Sequence, residues 1–103
     1  MIPTSVRIFV CTERQDMRRS FDGLAAAVRE HLALDPESGA LFVFASKSGR
    51  RMKFLWFDPN GYCLLYKRLH RASFELPDAE ASGRPMATID ARALATMLRG
   101  VAK

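Results

Sequence analysis

Three apolar runs follow one another between residues 40 and 69 with almost nothing between them: ALFVFAS, RMKFLWFD and GYCLLYKRL. All three are rich in aromatic and branched residues, which favour pleated, extended backbone. A KSGRR turn separates the first two and DPNG the last two. In DPNG, Pro59 presets the turn, while Asn60 and Gly61 tolerate left-handed backbone. Links this short leave no room for a crossover, so consecutive strands must run antiparallel. A meander is therefore the frame on which the rest of the chain has to pack.

The flanking segments supply the packing. SVRIFVCTE alternates Val6, Ile8 and Val10 with Arg7, Phe9 and Cys11 and reads as a strand. In SFDGLAAAVREHLAL, the residues Phe21, Leu24, Val28 and Leu32 recur at helical spacing with Ala25 beside them. Ser20 is placed to cap that helix, and Asp22 suits the positive end of its dipole. DPESG, residues 35 to 39, ends it. ASFELP is expected to extend the meander, DAEASGRP (78 to 85) to form a polar loop, and MATID to be briefly extended. Asp90 then caps a last helix, ARALATMLRG, which ends at Gly100 before a tail expected to fray.

The 103 residues suffice for one domain with a single modest core, spanning 1–103. The order strand, helix, three or four strands, helix predicts an α+β fold. Its core is an antiparallel sheet of four to five strands, with two helices packed on one face. The alternation in the central strands qualifies this picture. Phe54 and Trp56 point one way and Leu55 and Phe57 the other; Tyr62, Leu64 and Tyr66 oppose Cys63, Leu65 and Leu69. Both faces are apolar, so the second needs a cover. The C-terminal helix, a second copy of the chain in a homodimer, another protein, or bases stacked on exposed aromatics would each provide one. Phe54, Trp56 and Tyr66 are the candidate partner-binding residues.

No stretch of about 18 apolar residues is present, so no membrane span is expected. The N-terminus lacks the pattern of a signal peptide, which predicts a cytoplasmic protein. Cys11 and Cys63 sit within apolar runs and read as buried thiols. His31 and His70 read as isolated surface residues. No Cys or His partners lie at metal-ligand spacing, and no glycine-rich phosphate cradle is present. No cofactor or metal is expected. Four acids, Asp16, Asp22, Asp58 and Glu75, have aromatic or basic neighbours. Asp16 and Asp22 most simply serve the helix start, and Asp58 the turn. Two-metal strand transfer needs three convergent acids on a larger fold, so no enzyme activity is expected.

The net charge of +5 is unevenly distributed. Between Leu41 and Arg71 seven cations (Lys47, Arg50, Arg51, Lys53, Lys67, Arg68 and Arg71) face a single acid, Asp58. Between Ala72 and Asp90 one cation faces four acids. In a meander, the turn near residue 49 and the strand end near residue 69 lie at the same edge of the sheet. Arg14, Arg18 and Arg19 sit between the first strand and the first helix. Cations gathered at one edge suit the phosphates of double-stranded DNA. They equally suit the solvation and blunting of a sheet edge. The candidate nucleic-acid contacts are Arg18, Arg19, Lys47, Arg50, Arg51, Lys53, Lys67, Arg68 and Arg71. No helix-turn-helix or zinc module accompanies them, which argues against sequence-specific reading.

DMRRSFDGL, LFVF, KFLWFDPNGYCLLYKRL and FELP occur in this order and spacing. Together they resemble the TnpB-type accessory proteins of the insertion sequence 66 family, from about Ile2 to Arg99. The family commonly has Trp-Trp-Asp where Trp56-Phe57-Asp58 stands here, and Arg-Gly-Arg-Phe where Arg71-Ala72-Ser73-Phe74 stands. The second departure removes one cation from the basic cluster. The resemblance implies a non-catalytic accessory role in transposition of a bacterial mobile element, with the transposase of the same element as partner. Within that role the residues leave two routes open: DNA binding through the basic edge, or an adaptor docked on the transposase through an apolar sheet face.

Overall fold

The computed structural model describes residues 6–76 and 85–102. Strand β1 (Ile8–Cys11) leads through a loop into α1 (Phe21–Glu30), followed by β2 (Leu41–Ala45), β3 (Arg51–Asp58) and β4 (Gly61–Arg68). Two-residue β5 (Ala72–Ser73) comes next, then β6 (Met86–Ile89), helix α2 (Ala91–Arg99) and two-residue β7 (Val101–Ala102). The main sheet has the order β4-β3-β2-β1-β6. The fold is α+β, and the expected meander is present: β2, β3 and β4 pair antiparallel in sequence. The DPNG hairpin closes on the pair Asp58–Gly61, which fixes the register Phe54–Leu65 and Arg51–Arg68 further along.

The sheet is mixed, not wholly antiparallel. β1 and β2 run parallel, with Ile8 opposite Leu41 and Val10 opposite Val43. A parallel pair needs a long crossover, and the 29 residues from Thr12 to Ala40, with α1 among them, supply it. β6 then adds antiparallel to the outer side of β1.

The two helices lie on opposite faces of the sheet, not on one. Leu24, Ala25, Ala27 and Val28 of α1 pack with Phe9, Cys11, Phe42, Phe44 and Leu55. Leu94 and Met97 of α2 pack with Ile8, Val10, Val43, Met52 and Phe54. The C-terminal helix thus covers the second apolar face within the chain over β1, β2 and part of β3, and leaves Leu65 of edge strand β4 exposed. β2 has no exposed residue, so neither face of the sheet could stay bare without leaving large apolar area in water.

Several local expectations are corrected by the packing. Ser20 occupies the N-cap position of α1, but its hydroxyl makes no cap bond; its carbonyl accepts from the Leu24 amide at 2.9 Å. Phe21 is 43% exposed and does not anchor the helix. A Cβ on Gly23 would meet the Arg19 side chain at 3.3 Å, so this glycine makes room for an arginine stem. β5 leaves the meander and pairs with β7, which places residues 101–102 of the tail in a short two-stranded ladder. The expected 78–85 loop lies outside the described residues except for Pro85.

α2 matches its sequence reading closely. Asp90 Oδ1 accepts from the Ala93 amide at 2.7 Å, and Gly100 ends the helix at φ +72°. The chain turns back at Gly100 onto β5, and a Cβ there would lie 2.6 Å from Leu69 Cδ1 and 2.8 Å from the Ser73 carbonyl oxygen. Gly100→Ala combines left-handed backbone with steric overlap. It is expected to lower stability by about 2–4 kcal/mol, read as a shift in the urea midpoint.

Candidate nucleic-acid interface

The parallel pairing of β1 and β2 ends both strands at the same edge of the sheet. The loop after β1 therefore lies beside the turn after β2. The Gln15 amide donates to the Ala45 carbonyl at 2.8 Å, and Gln15 and Ser46 form a parallel bridge. Arg14 Nη1 donates to the Ser46 carbonyl at 3.1 Å. Across the turn, the Leu69 amide donates to the Arg50 carbonyl at 2.7 Å and the Phe74 amide to the Gly49 carbonyl at 2.6 Å. Three distant segments, 14–19, 46–51 and 67–74, meet at one rim.

The rim sorts the candidate cations into different roles. Arg51 and Arg68 are exposed and stand directly opposite each other on β3 and β4. Cross-strand partners share a face, so two like charges sit side by side, an unfavourable arrangement unless an anion joins them. Among the described residues, neither pairs with an acid. Lys47, Arg50 and Arg71 are exposed on the adjoining turns. Lys67 faces the other side of the sheet, where Nζ donates to the Leu98 carbonyl at 3.4 Å; a cation at a helix C-terminus is favourably placed.

Lys53 is corrected from a surface contact to a buried one. It is 6% exposed, and its Nζ donates to the Arg19 carbonyl at 2.7 Å. It shares with Leu55 the face that α1 covers, so its stem runs inward beneath the rim. Arg18 is exposed but already matched: Nε and Nη2 donate to both oxygens of Asp16, the shortest contact being 2.7 Å. The Arg18 side chain and backbone amide together hold the Asp16 carboxyl well below the usual carboxylate range. That pair stays ionised throughout neutral and mildly acidic conditions. Arg19 Nη1 reaches Gln15 Oε1 at 3.4 Å.

The three candidate partner-binding aromatics do not form one surface. Phe54 is 3% exposed beneath α2, and Trp56 is half-buried beside it. Tyr66 lies on the opposite face, paired across strands with Lys53, whose Nζ is 4.9 Å from the ring centroid. Tyr66 is 49% exposed. It lines a cleft of about 440 Å³ with Gln15, Asp16, Met17, Arg18, Ser46–Ser48 and Arg51. Pairing an aromatic from β4 with the β1 loop was not readable from the sequence, because it depends on the parallel crossover.

Cys11 is buried, and desolvation pushes its thiol pKa up; Sγ donates to the Glu13 carbonyl at 3.3 Å. Cys63 is only partly buried. His31 is on the surface as expected but is not isolated, since Nε2 lies 3.1 Å from Glu13 Oε2. Among the described residues, no three His, Cys, Asp or Glu side chains gather as metal ligands. Among them, too, no helix is long and apolar enough to cross a membrane.

The fold and rim define a small α+β domain with helices on both sheet faces and a cationic edge. The chain belongs to the family described as "IS66 Orf2 like protein", whose model (TnpB_IS66) matches residues 6–103. Membership carries an accessory role associated with transposition of these insertion sequences. The chain is 45% identical over 82 residues to "Uncharacterized protein y4hO" of Sinorhizobium fredii (strain NBRC 101917 / NGR234), covering 78% of this chain and 71% of that protein. It is 38% identical over 72 residues to "Uncharacterized protein y4jC" of the same organism, covering 70% of this chain and 62% of that protein. No solved structure matches the chain.

The two kinds of cation are separable by stability. Lys53→Ala leaves the Arg19 carbonyl without its donor and opens a gap under Tyr66, so it is expected to cost about 1–3 kcal/mol. Arg51→Ala or Arg68→Ala relieves repulsion and is expected to change stability by less than about 0.5 kcal/mol, or to raise it. Urea denaturation of the three variants checks both expectations.

Proposed function

We propose that the protein is a non-catalytic accessory that binds double-stranded DNA through its cationic rim while the transposition complex assembles with the element's transposase. The observation that carries this reading is the Arg51–Arg68 pair. Blunting an edge strand needs charge on that strand alone. It does not need two arginines in register, without acids, beside Lys47, Arg50 and Arg71. A row of phosphates would relieve their mutual repulsion and release counterions. A rim built from turns and strand ends favours backbone contact over base reading. Three of the four candidate acids are dispersed in the fold, which does not favour catalysis: Asp16 is held by Arg18, Asp22 lies in the first turn of α1, and Asp58 stands at the far end of the β3–β4 hairpin.

A second reading has its own observation. Leu65 is 55% exposed on edge strand β4, on the face shared with half-buried Trp56. This strip, not the covered Phe54, would dock the transposase in an adaptor. Salt separates the two readings. Rim binding to a short duplex should weaken log-linearly with salt, by roughly 0.9 in slope per phosphate engaged. Arg51→Ala with Arg68→Ala should flatten that slope by about 2. Asp16→Asn releases Arg18 from its carboxylate and should act oppositely, tightening binding and steepening the slope by about 1. Fluorescence anisotropy across a salt series reads all three. Transposase capture that ignores salt and survives the double substitution, with no duplex binding, would replace the DNA reading with the adaptor.

A further inference from the structure

Duplex backbone binding makes no use of the exposed aromatic at the rim. Tyr66 keeps half its surface in solvent while Lys53 lies over its ring. A buried cation against an aromatic ring attracts its π-face, which favours the observed position of Tyr66. The next cross-strand pair outward on the same face is Arg51–Arg68. Gln15–Arg18 and Ser46–Ser48 line the rest of the cleft, whose volume of about 440 Å³ is in the range of small-ligand sites.

We propose that this cleft takes one unpaired nucleotide at a DNA end, with its base stacked on Tyr66 and its phosphate held by Arg51 and Arg68. This rests on the DNA-binding reading above and names the part of the DNA that the rim prefers. A base inside a duplex already has both faces stacked and is out of reach of a tyrosine ring. An aromatic platform beside cations is the arrangement that holds single strands, because every base offers a π-face and every nucleotide a phosphate. On the Asp16 wall of the cleft the carboxylate and Arg18 already satisfy each other, which leaves the unmatched Arg51–Arg68 side for the phosphate. The site reads no base identity. Gln15 Nε2 is engaged by Cys11 Sγ and the Glu13 carbonyl, and its Oε1 by Arg19. The Ser46 and Ser48 hydroxyls bond to each other and accept from the Arg51 and Arg50 amides.

The test compares a blunt duplex, the same duplex with a short single-stranded overhang, and the overhang strand alone, by fluorescence anisotropy with the full chain. The overhang duplex should bind about tenfold more tightly than the blunt one, whatever the overhang's base composition. Tyr66→Leu, which keeps an apolar cover on Lys53 but removes the ring, should erase that difference and leave blunt-duplex binding unchanged. Tyr66→Phe should keep it. In the wild-type protein, a 2-aminopurine placed in the overhang should be quenched on binding, a readout that does not depend on how any variant folds. Equal affinity for both duplexes, a preference that survives Tyr66→Leu, or an unquenched 2-aminopurine overturns the nucleotide site. If blunt duplex binds and the overhang adds nothing, only this inference falls. If no probe binds, the DNA-binding reading falls with it.

Discussion

All five side chains of β2 are out of water, and the rest of the molecule answers to that demand. A strand with no solvent side can exist only at the centre of a sheet covered twice. The chain meets the requirement with α1 on one face and α2 on the other, and with β1 and β3 as lateral neighbours. Because β1 precedes α1 and β2 follows it, the crossover makes those two strands parallel. Two parallel strands finish at the same edge. The loop leaving β1 is thereby pinned against the turn leaving β2, through the Gln15 amide and the Arg14 guanidinium. The rim thus follows from how the core is covered.

Much of this was legible in the residues, and the boundary is physical. Local signals carried through: DPNG fixed the hairpin, Asp90 capped α2, Gly100 ended it, and alternation in MKFLWFD separated the two faces correctly. The meander alone brought residues 50 and 69 together, as their hydrogen bond confirms. What failed was non-local. Nothing in IFVC announces whether β1 will pair parallel or antiparallel, since that depends on where α1 deposits the chain. Val101 and Ala102 carry no strand pattern, yet they pair with β5 because Gly100 turns them there. Phe54, Trp56 and Tyr66 looked equivalent as aromatics. Parity in the register puts Tyr66 on the face opposite the other two, and α2 buries Phe54.

Within the candidate site, charge was readable and accessibility was not. Lys53 counts as a cation in any tally, but it sits two residues from Leu55 on an inward-facing parity and ends at a backbone carbonyl. Arg18 counts equally, but Asp16 two residues earlier holds it. The sequence distance between these partners is short, and an Asp-x-Arg spacing in a loop is a signal that could have flagged the pair. Arg51 and Arg68 are distinguished only by being opposite one another, which requires the hairpin register.

The β3–β4 hairpin also spans the molecule electrically. One end carries Arg51 and Arg68; the other carries Asp58 at the turn, with Tyr62 nearby in a network of Arg29 and Glu37. The hairpin itself therefore carries a separation of charge from one end to the other. Such a separation of charge turns in the field of a polyanion, and the sense of the turn favours the cationic end leading.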